Sequence, residues 1–224
     1  SKAQKKNLKI IDATCPLVTK VHNEAIKYSK EGKRIILVGH RGHQEVKGTM
    51  GQSEMELVDD REKLPGFHWD KDTPVAVLTQ TTLSVDDTQR SIETIKDSFN
   101  DVLVRNDLCY ATTNRQNAVK EISDHVDLFL VIGARNSSNC NRLRDVAESR
   151  GVNAYLINGI DELNPDWLQG VENVGITSGA STPDTLVQAI IEALTPEEVI
   201  PMGGEEENIT FTLPSEFREF AKGL

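Results

Sequence analysis

Short runs of β-branched and other apolar residues alternate along this chain with longer stretches of helical period, the pattern of strand-helix-strand units around a parallel sheet. Residues 8–11 read as a strand. Residues 17–30 read as a helix with Leu17, Val21, Ala25 and Tyr28 on one face, Pro16 in its first turn and Gly32 as its stop. The strand Arg34–Val38 follows, then a Gly- and His-rich loop over 39–51, a strand at Met55–Val58, an irregular surface connection over 59–72 and a strand at 75–78. Ser84, Asp86 and Asp87 then open a helix through about Phe99.

From about Val102 the order begins again: strand, cysteine loop, a helix over 116–124, the apolar strand Leu128–Ile132, a polar loop, a helix through Arg150, a strand at 174–176 and a helix over 183–194. Cys15 lies 24 residues before Gly39, and Cys109 lies 24 before Gly133. Gly39 precedes Thr79 by 40, and Gly133 precedes Thr177 by 44. We read two homologous parallel-sheet α/β modules, 1–101 and 102–200, with a tail over 201–224. The competing account is that any doubly wound fold repeats near this period. Residues 195–207, with two prolines, two glycines and five glutamates, read as a connector; 208–213 read as a last strand and 216–222 as a helix.

Composition narrows the partners. The chain has 224 residues, 38% of them hydrophobic, which is enough core for two modules. With 25 basic and 35 acidic side chains the net charge is −10, so no overall positive field exists to hold a nucleic-acid backbone or an anionic membrane. The longest apolar runs fall far short of the roughly 20 residues that span a bilayer. The lysine-rich start is not followed by an apolar segment of signal-peptide length, and the expected location is the cytoplasm. Cysteines at 15, 109 and 140, odd in number and without a CxxC pair, suit neither a disulfide framework nor a zinc ribbon, which leaves reduced thiols or metal ligands.

In open α/β sheets ligands sit beyond the carboxyl ends of the strands, and the unusual segments here fall at that end. Asn136, Ser137, Ser138 and Asn139 follow one strand, Thr177 to Thr182 follow another, and Thr79, Gln80, Thr81 and Thr82 follow a third. Hydroxyl and amide side chains beside the free N–H groups of a helix start make an anion site, and three on one rim suggest a phosphate-bearing small molecule; for each loop alone, ordinary N-capping is the simpler reading. Neither a Walker A loop nor GxGxxG is present. His43 and Glu45 lie two apart, so in an extended stretch both face one side as hydrogen-bond donor and proton source. Zinc there lacks a third adjacent ligand. His40 reads as a loop histidine bonded to backbone, and His22, His68 and His125 as surface or helix-face residues. Cys15 and Cys109 each precede a helix, whose positive end stabilises a thiolate, and their matching stations suggest that both point at one place, as iron–sulfur ligation requires. Isolated thiols are otherwise small buried hydrophobes, which is how Cys140 reads.

Together these segments resemble the 4-hydroxy-3-methylbut-2-enyl diphosphate reductase family. The resemblance rests on Asp12 to His22, Gly39-His40 through Gly48-Thr49, Thr79 to Ser84, Cys109 to Gln116, Asn136 to Asn139, and Gly179-Ala180-Ser181. It implies a three-module fold of pseudo-threefold arrangement around a [4Fe-4S] cluster held by one cysteine per module, with Cys15 and Cys109 matching two of those ligands. It further implies Glu45 as proton donor, and contact of His43 and Thr81 with the substrate's hydroxyl end. Ser137, Ser138, Asn139 and Ser181 match the diphosphate cradle, with His43 close enough in the family to assist, and Thr82 and Gln80 shape the same pocket. Ferredoxin or flavodoxin is the implied electron donor. The family's first cysteine motif has no match here, and Cys140 is not at a ligand position. The implied activity is therefore reduction of the allylic diphosphate to isopentenyl and dimethylallyl diphosphate. The alternative is a cluster-free diphosphate-binding fragment or inactive shortened form.

Overall fold

The computed structural model describes residues 6, 12, 14–59, 61, 62, 66–202 and 210, and within them the strands form two parallel sheets. The first contains β1 (Arg34–Val38), β2 (Met55–Val58), β3 (Val75–Thr79) and β4 (Val102–Val104), in the order β2-β1-β3-β4. The second contains β5 (Leu128–Ile132), β6 (Asn153–Ile157) and β7 (Val174–Ser178), in the order β6-β5-β7. The central strands of a parallel sheet are covered on both faces, which is why β1, β3 and β5 are near-continuous apolar runs.

Helices follow the same plan in both halves. In the first, α1 (Pro16–Lys30) and α2 (Gln44–Met50) pack on one face, where Val21, Ala25, Tyr28 and Val46 meet Ile35, Leu37, Ala76 and Leu78. On the other face α3 (Val85–Ser98) sets Ile92 and Ile95 against Ile36, Val38, Val75 and Val77. The two sets of strand residues alternate, as the period of two requires. In the second half α4 (Tyr110–Ile122) and α5 (Ser138–Ser149) cover Phe129 and Val131, and α6 (Asp184–Leu194) covers Leu128, Leu130 and Ile132. Burying one such side chain fully contributes about 1.5–3 kcal/mol. Each of the four apolar clusters draws on one sheet only.

One helix in each half stops in the same way. Gly32 (φ +80°) and Gly151 (φ +84°) take the left-handed conformation just past α1 and α5, and the next amide bonds back into the helix, Lys33 to Tyr28 and Val152 to Ala147.

Three readings of the sequence need correction. Residues 44–50 are helical, not loop: α2 is seven residues long with Gly48 inside it, too weak a local signal to see, and it is held by burying Val46 and Thr49. Helix α4 starts at Tyr110, directly after Cys109, and not at 116; Thr113 N–H bonds to the Cys109 carbonyl although Thr112, Thr113 and Asn114 are indifferent helix formers. Strand β6 was not anticipated. Val102–Val104 hydrogen-bonds to β3 and is the edge strand of the first sheet. The strands at 8–11 and 208–213 and the helix at 216–222 fall outside the described residues, residue 210 apart.

Candidate active site

Apart from β4, which has no counterpart among the described residues of the second half, the helices and strands of the two halves correspond, and the correspondence runs through the candidate site. From the first helix to the second, each residue matches the one 94 positions later: Cys15 and Cys109 are the N-caps of α1 and α4, Gly39 and Gly133 follow β1 and β5, and His43 and Ser137 are the N-caps of α2 and α5. From β2 onward the separation is 99: Val58 and Ile157 end β2 and β6, and Ser84 and Pro183 are the N-caps of α3 and α6. Glu45 is thus the counterpart of Asn139, Val46 of Cys140, and Thr82 of Ser181.

This explains the glycines at the strand ends. A Cβ on Gly39 would lie 2.7 Å from Val46 Cγ2, and one on Gly133 would lie 2.4 Å from Cys140 Sγ. In each half the second helix plugs its apolar residue over the end of the central strand. Cys140 is 1% exposed and fills that station as a core side chain.

Glu45 lies in the first turn of α2 with its carboxylate turned onto the loop after β3. Its Oε1 accepts from Thr81 N–H at 2.8 Å and its Oε2 from Thr81 Oγ1 at 3.0 Å. Burial pushes the carboxyl above its ordinary value, the two bonds from Thr81 pull it part of the way back, and Asp107 adds to the rise. A carboxyl so placed holds its proton more readily than a surface glutamate. Thr81 is itself 5% exposed, and its carbonyl accepts from Cys109 N–H at 2.9 Å.

His43 is half-buried at the start of α2, with Nδ1 buried and without a hydrogen-bond partner. Burial, assisted by neighbouring His40, holds its pKa below the ordinary histidine value, so the ring is neutral at pH 7. His40 donates its backbone N–H to Gln80 Oε1 at 3.0 Å. The same Gln80 amide donates to Thr82 Oγ1 at 2.9 Å, and Thr82 Oγ1 donates to Ser138 Oγ at 3.1 Å, so a hydroxyl of the first half meets one of the second.

At the start of α5 the roles divide. Ser137 Oγ accepts from Cys140 N–H at 3.3 Å, an ordinary cap. Asn139 is 7% exposed, and both polar atoms of its amide are buried without partners. Leaving such a group unpaired costs roughly 1–3 kcal/mol, which a bound ligand offering donors and acceptors removes. Ser181 is exposed on the loop after β7, whose helix has Pro183 as its N-cap and no side-chain cap. A cavity of about 540 Å³ opens beside His43 and Ser138, with Arg41, Arg61 and Arg142 in its wall. That is within the range of small-molecule sites.

Cys15 is exposed and Cys109 half-buried; both are free thiols, and neither side chain makes a capping hydrogen bond. Lys20, five residues after Cys15, pairs at 2.8 Å with Asp107, two residues before Cys109, which ties the two cysteine-bearing segments together. Among the described residues no three His, Cys, Asp or Glu side chains group as a metal site. His68 and His125 are exposed, and His22 packs its Nε2 toward Gly48 on α2.

Sequence reasoning passed over Asp107, whose carboxylate is only 2% exposed, and Gln116, 1% exposed. Asp107 lies two residues before Cys109 and Gln116 seven after it. Polar residues near the cysteine of a motif were the available signal, but their burial is not visible in the sequence.

Comparison with known proteins places this geometry. The family model described as LytB protein matches residues 1–195. The 4-hydroxy-3-methylbut-2-enyl diphosphate reductase of Pseudomonas aeruginosa strain LESB58 is 46% identical over 227 aligned residues, covering 96% of this chain and 72% of that one. The corresponding reductase 2 of Bradyrhizobium diazoefficiens is 49% identical over 222, with the same coverage. The solved structure of the E-1-hydroxy-2-methyl-but-2-enyl-4-diphosphate reductase from Plasmodium falciparum superposes with a TM-score of 0.89 at 34% identity, over 99% of this chain and 73% of that one. With its paired parallel sheets and the motifs that line their rims, the chain belongs to the LytB protein family, the family of the 4-hydroxy-3-methylbut-2-enyl diphosphate reductases, which are enzymes.

Proposed function

We propose that the chain carries the proton-donating and diphosphate-binding half-sites of a reductase that removes the hydroxyl of 4-hydroxy-3-methylbut-2-enyl diphosphate, yielding isopentenyl or dimethylallyl diphosphate and water. The net change takes up two electrons and two protons: the carbon–oxygen bond breaks, one proton leaves with the hydroxyl as water, and the other joins the allylic carbon skeleton. The observation that carries the reading is Glu45, a half-buried carboxyl locked by two bonds onto Thr81, whose carbonyl in turn holds the amide of Cys109.

Residue roles follow from chemistry. Glu45, its pKa raised by burial, delivers the proton to the departing oxygen, with Thr81 Oγ1 beside it to pass a hydrogen bond on. The neutral His43 offers a ring nitrogen, and Asn139 an unpartnered amide, to the diphosphate; Ser138 and Ser181 offer hydroxyls, and Ser137 orders the helix start behind them. Binding the diphosphate away from the reacting carbon supplies orientation.

The thiols test the fit of an iron–sulfur cluster. Cys15 and Cys109 are donors of the right kind, uncapped and at equivalent helix starts, and would hold two of its irons. The described residues bring no third ligand to them. When bound, such a cluster supplies single electrons from a donor such as ferredoxin or flavodoxin and an iron that polarises the hydroxyl.

Anaerobic reconstitution with iron and sulfide counting, followed by turnover of the hydroxylated diphosphate with a low-potential donor, tests the reading. Cluster content with water-forming turnover supports it. Tight diphosphate binding without iron or turnover makes the chain a cluster-free diphosphate-binding form, the reading favoured by its two matched cysteines.

A further inference from the structure

We infer that Gln116 is a positioning residue that sets the proton-donating half-site in register with the diphosphate-binding half-site, by clamping the backbone of one α/β unit from a helix of the other. The inference rests on the diphosphate reading given above. Gln116 belongs to α4 in the second unit. Its Nε2 donates to the Leu83 carbonyl at 2.8 Å, and its Oε1 accepts from Val85 N–H at 3.3 Å. Leu83 and Val85 flank Ser84, the N-cap of α3 in the first unit, so one buried amide grips the chain on both sides of that cap.

The gripped loop is the one that carries the chemistry. Immediately before Leu83 come Thr81, which holds Glu45, and Thr82, which bonds to Ser138. Thr81 also accepts from Cys109 N–H at the other end of α4. Helix α4 therefore touches this loop at its N-cap and again two turns later, and two contacts of this kind fix a direction where one fixes only a point. Among the described residues Gln80 Nε2 also donates to Ser138 Oγ at 3.4 Å, and two ion pairs cross here: Lys120 to Asp86 at 2.8 Å, which is exposed, and Arg142 to Asp87 at 3.2 Å, which is part-buried. The exposed Lys120 pair is weak. The fold of a single unit does not need the clamp. In the first unit the matching station on α1 is His22, which packs toward Gly48 of its own α2. Gln116 thus serves the junction and not the module.

Three variants of the whole chain separate this from a general packing role: Gln116→Met, which removes both bonds; Gln116→Glu, which keeps the acceptor for Val85 N–H and loses the donor to Leu83; and Lys120→Ala, which removes an exposed pair. The readouts are inorganic pyrophosphate affinity by calorimetry and site-resolved amide exchange. Gln116→Met weakens pyrophosphate binding about tenfold or more and speeds exchange at Val85, Thr81 and Cys109, Gln116→Glu does both to a smaller degree, and Lys120→Ala changes binding by less than about twofold. If Gln116→Met fails to fold, Gln116→Glu decides by the same measurements. Unchanged exchange at Thr81 and Cys109, or a wild-type affinity in the Gln116 variants, overturns the inference. A wild-type chain that does not bind pyrophosphate instead rejects the diphosphate reading, and the exchange rates alone then decide on the clamp.

Discussion

Glu45 and Cys140 occupy neighbouring stations in the repeated plan, one proposed as a proton donor and one buried in the core, and single substitutions tell them apart. Glu45→Gln keeps the shape and, by turning its amide toward Thr81 Oγ1, keeps hydrogen bonds, but it has no proton to give. We expect substrate affinity near wild type and turnover down by about 10²–10⁴-fold, read by steady-state kinetics. Thr81→Val removes one of the two bonds that pull the Glu45 pKa down, so the alkaline limb of the rate profile moves to higher pH; a limb that stays put or moves down would remove Glu45 from the acid role. A carboxyl whose pKa rises on folding costs stability once pH climbs above its ordinary value of 4.5, so the urea midpoint of Glu45→Gln gains on wild type as pH rises from there. Cys140 is judged by volume. A Cβ on Gly179 would lie 2.5 Å from Cys140 Sγ, so Gly179→Ala loses about 1–3 kcal/mol, and adding Cys140→Ala to it recovers part of the loss in urea denaturation. No recovery would mean that the thiol is not what crowds Gly179.

At the level of elements, the strands and helix starts were legible because their signals are local. Arg34–Val38 and Leu128–Ile132 are unbroken apolar runs, and Ser84, Asp86 and Asp87 announce α3 within four residues. What stayed hidden depends on partners far along the chain. Helix α2 is stabilised by docking on α1 and the first sheet, and the loop before it is held by Asp59, 18 residues beyond Arg41. Asn139 and Ser137 look alike in sequence as polar residues of one loop; only the fold shows that the Ser137 oxygen is used by Cys140 N–H while the Asn139 amide is left unpaired. Asp59 yields its own test. Its buried carboxylate accepts from the Arg61 guanidinium at 2.8 and 2.6 Å and from Arg41 N–H at 2.7 Å, and the Arg61 bonds hold its pKa far below the usual carboxylate range. A depressed pKa stabilises the fold above the ordinary aspartate value of 3.8 and loses that contribution as pH falls below it. Asp59→Asn should therefore be less stable than wild type by about 1–3 kcal/mol at pH 7, with the gap closing under acid. A gap that is constant from neutral pH to about pH 3 would show that charge on Asp59 contributes nothing.

Across the whole molecule the two units have separate interiors and a polar seam. Among the described residues none of the apolar clusters spans both sheets, and hydrogen bonds and ion pairs join the units, among them Gln116 with Leu83 and Val85, Thr81 with Cys109, Thr82 and Gln80 with Ser138, Lys120 with Asp86 and Arg142 with Asp87. Net hydrogen bonds contribute about 0.5–1.5 kcal/mol each and exposed ion pairs less, so the coupling across the seam is small beside the stability of either core. Unfolding should then proceed in two steps, as is usual where cooperativity is divided between cores. The chain provides its own reporters, because its two tryptophans fall one in each unit: Trp69 beside Phe67 and Phe99 under the first sheet, and Trp167 stacked on Tyr155 at 3.8 Å beside the second. With Trp167→Phe and Trp69→Phe isolating each signal, urea titrations followed by fluorescence should give different midpoints for the two units. A diphosphate that bridges His43 in one unit and Asn139 in the other binds only when both are folded and in register. Saturating pyrophosphate should then raise the lower midpoint toward the higher, by the mass-action relation between ligand concentration and stability. Coincident midpoints without ligand would mean that the seam is stronger than its polar contacts imply. Midpoints that stay apart at saturation would mean that the anion sits within one unit and does not bridge them.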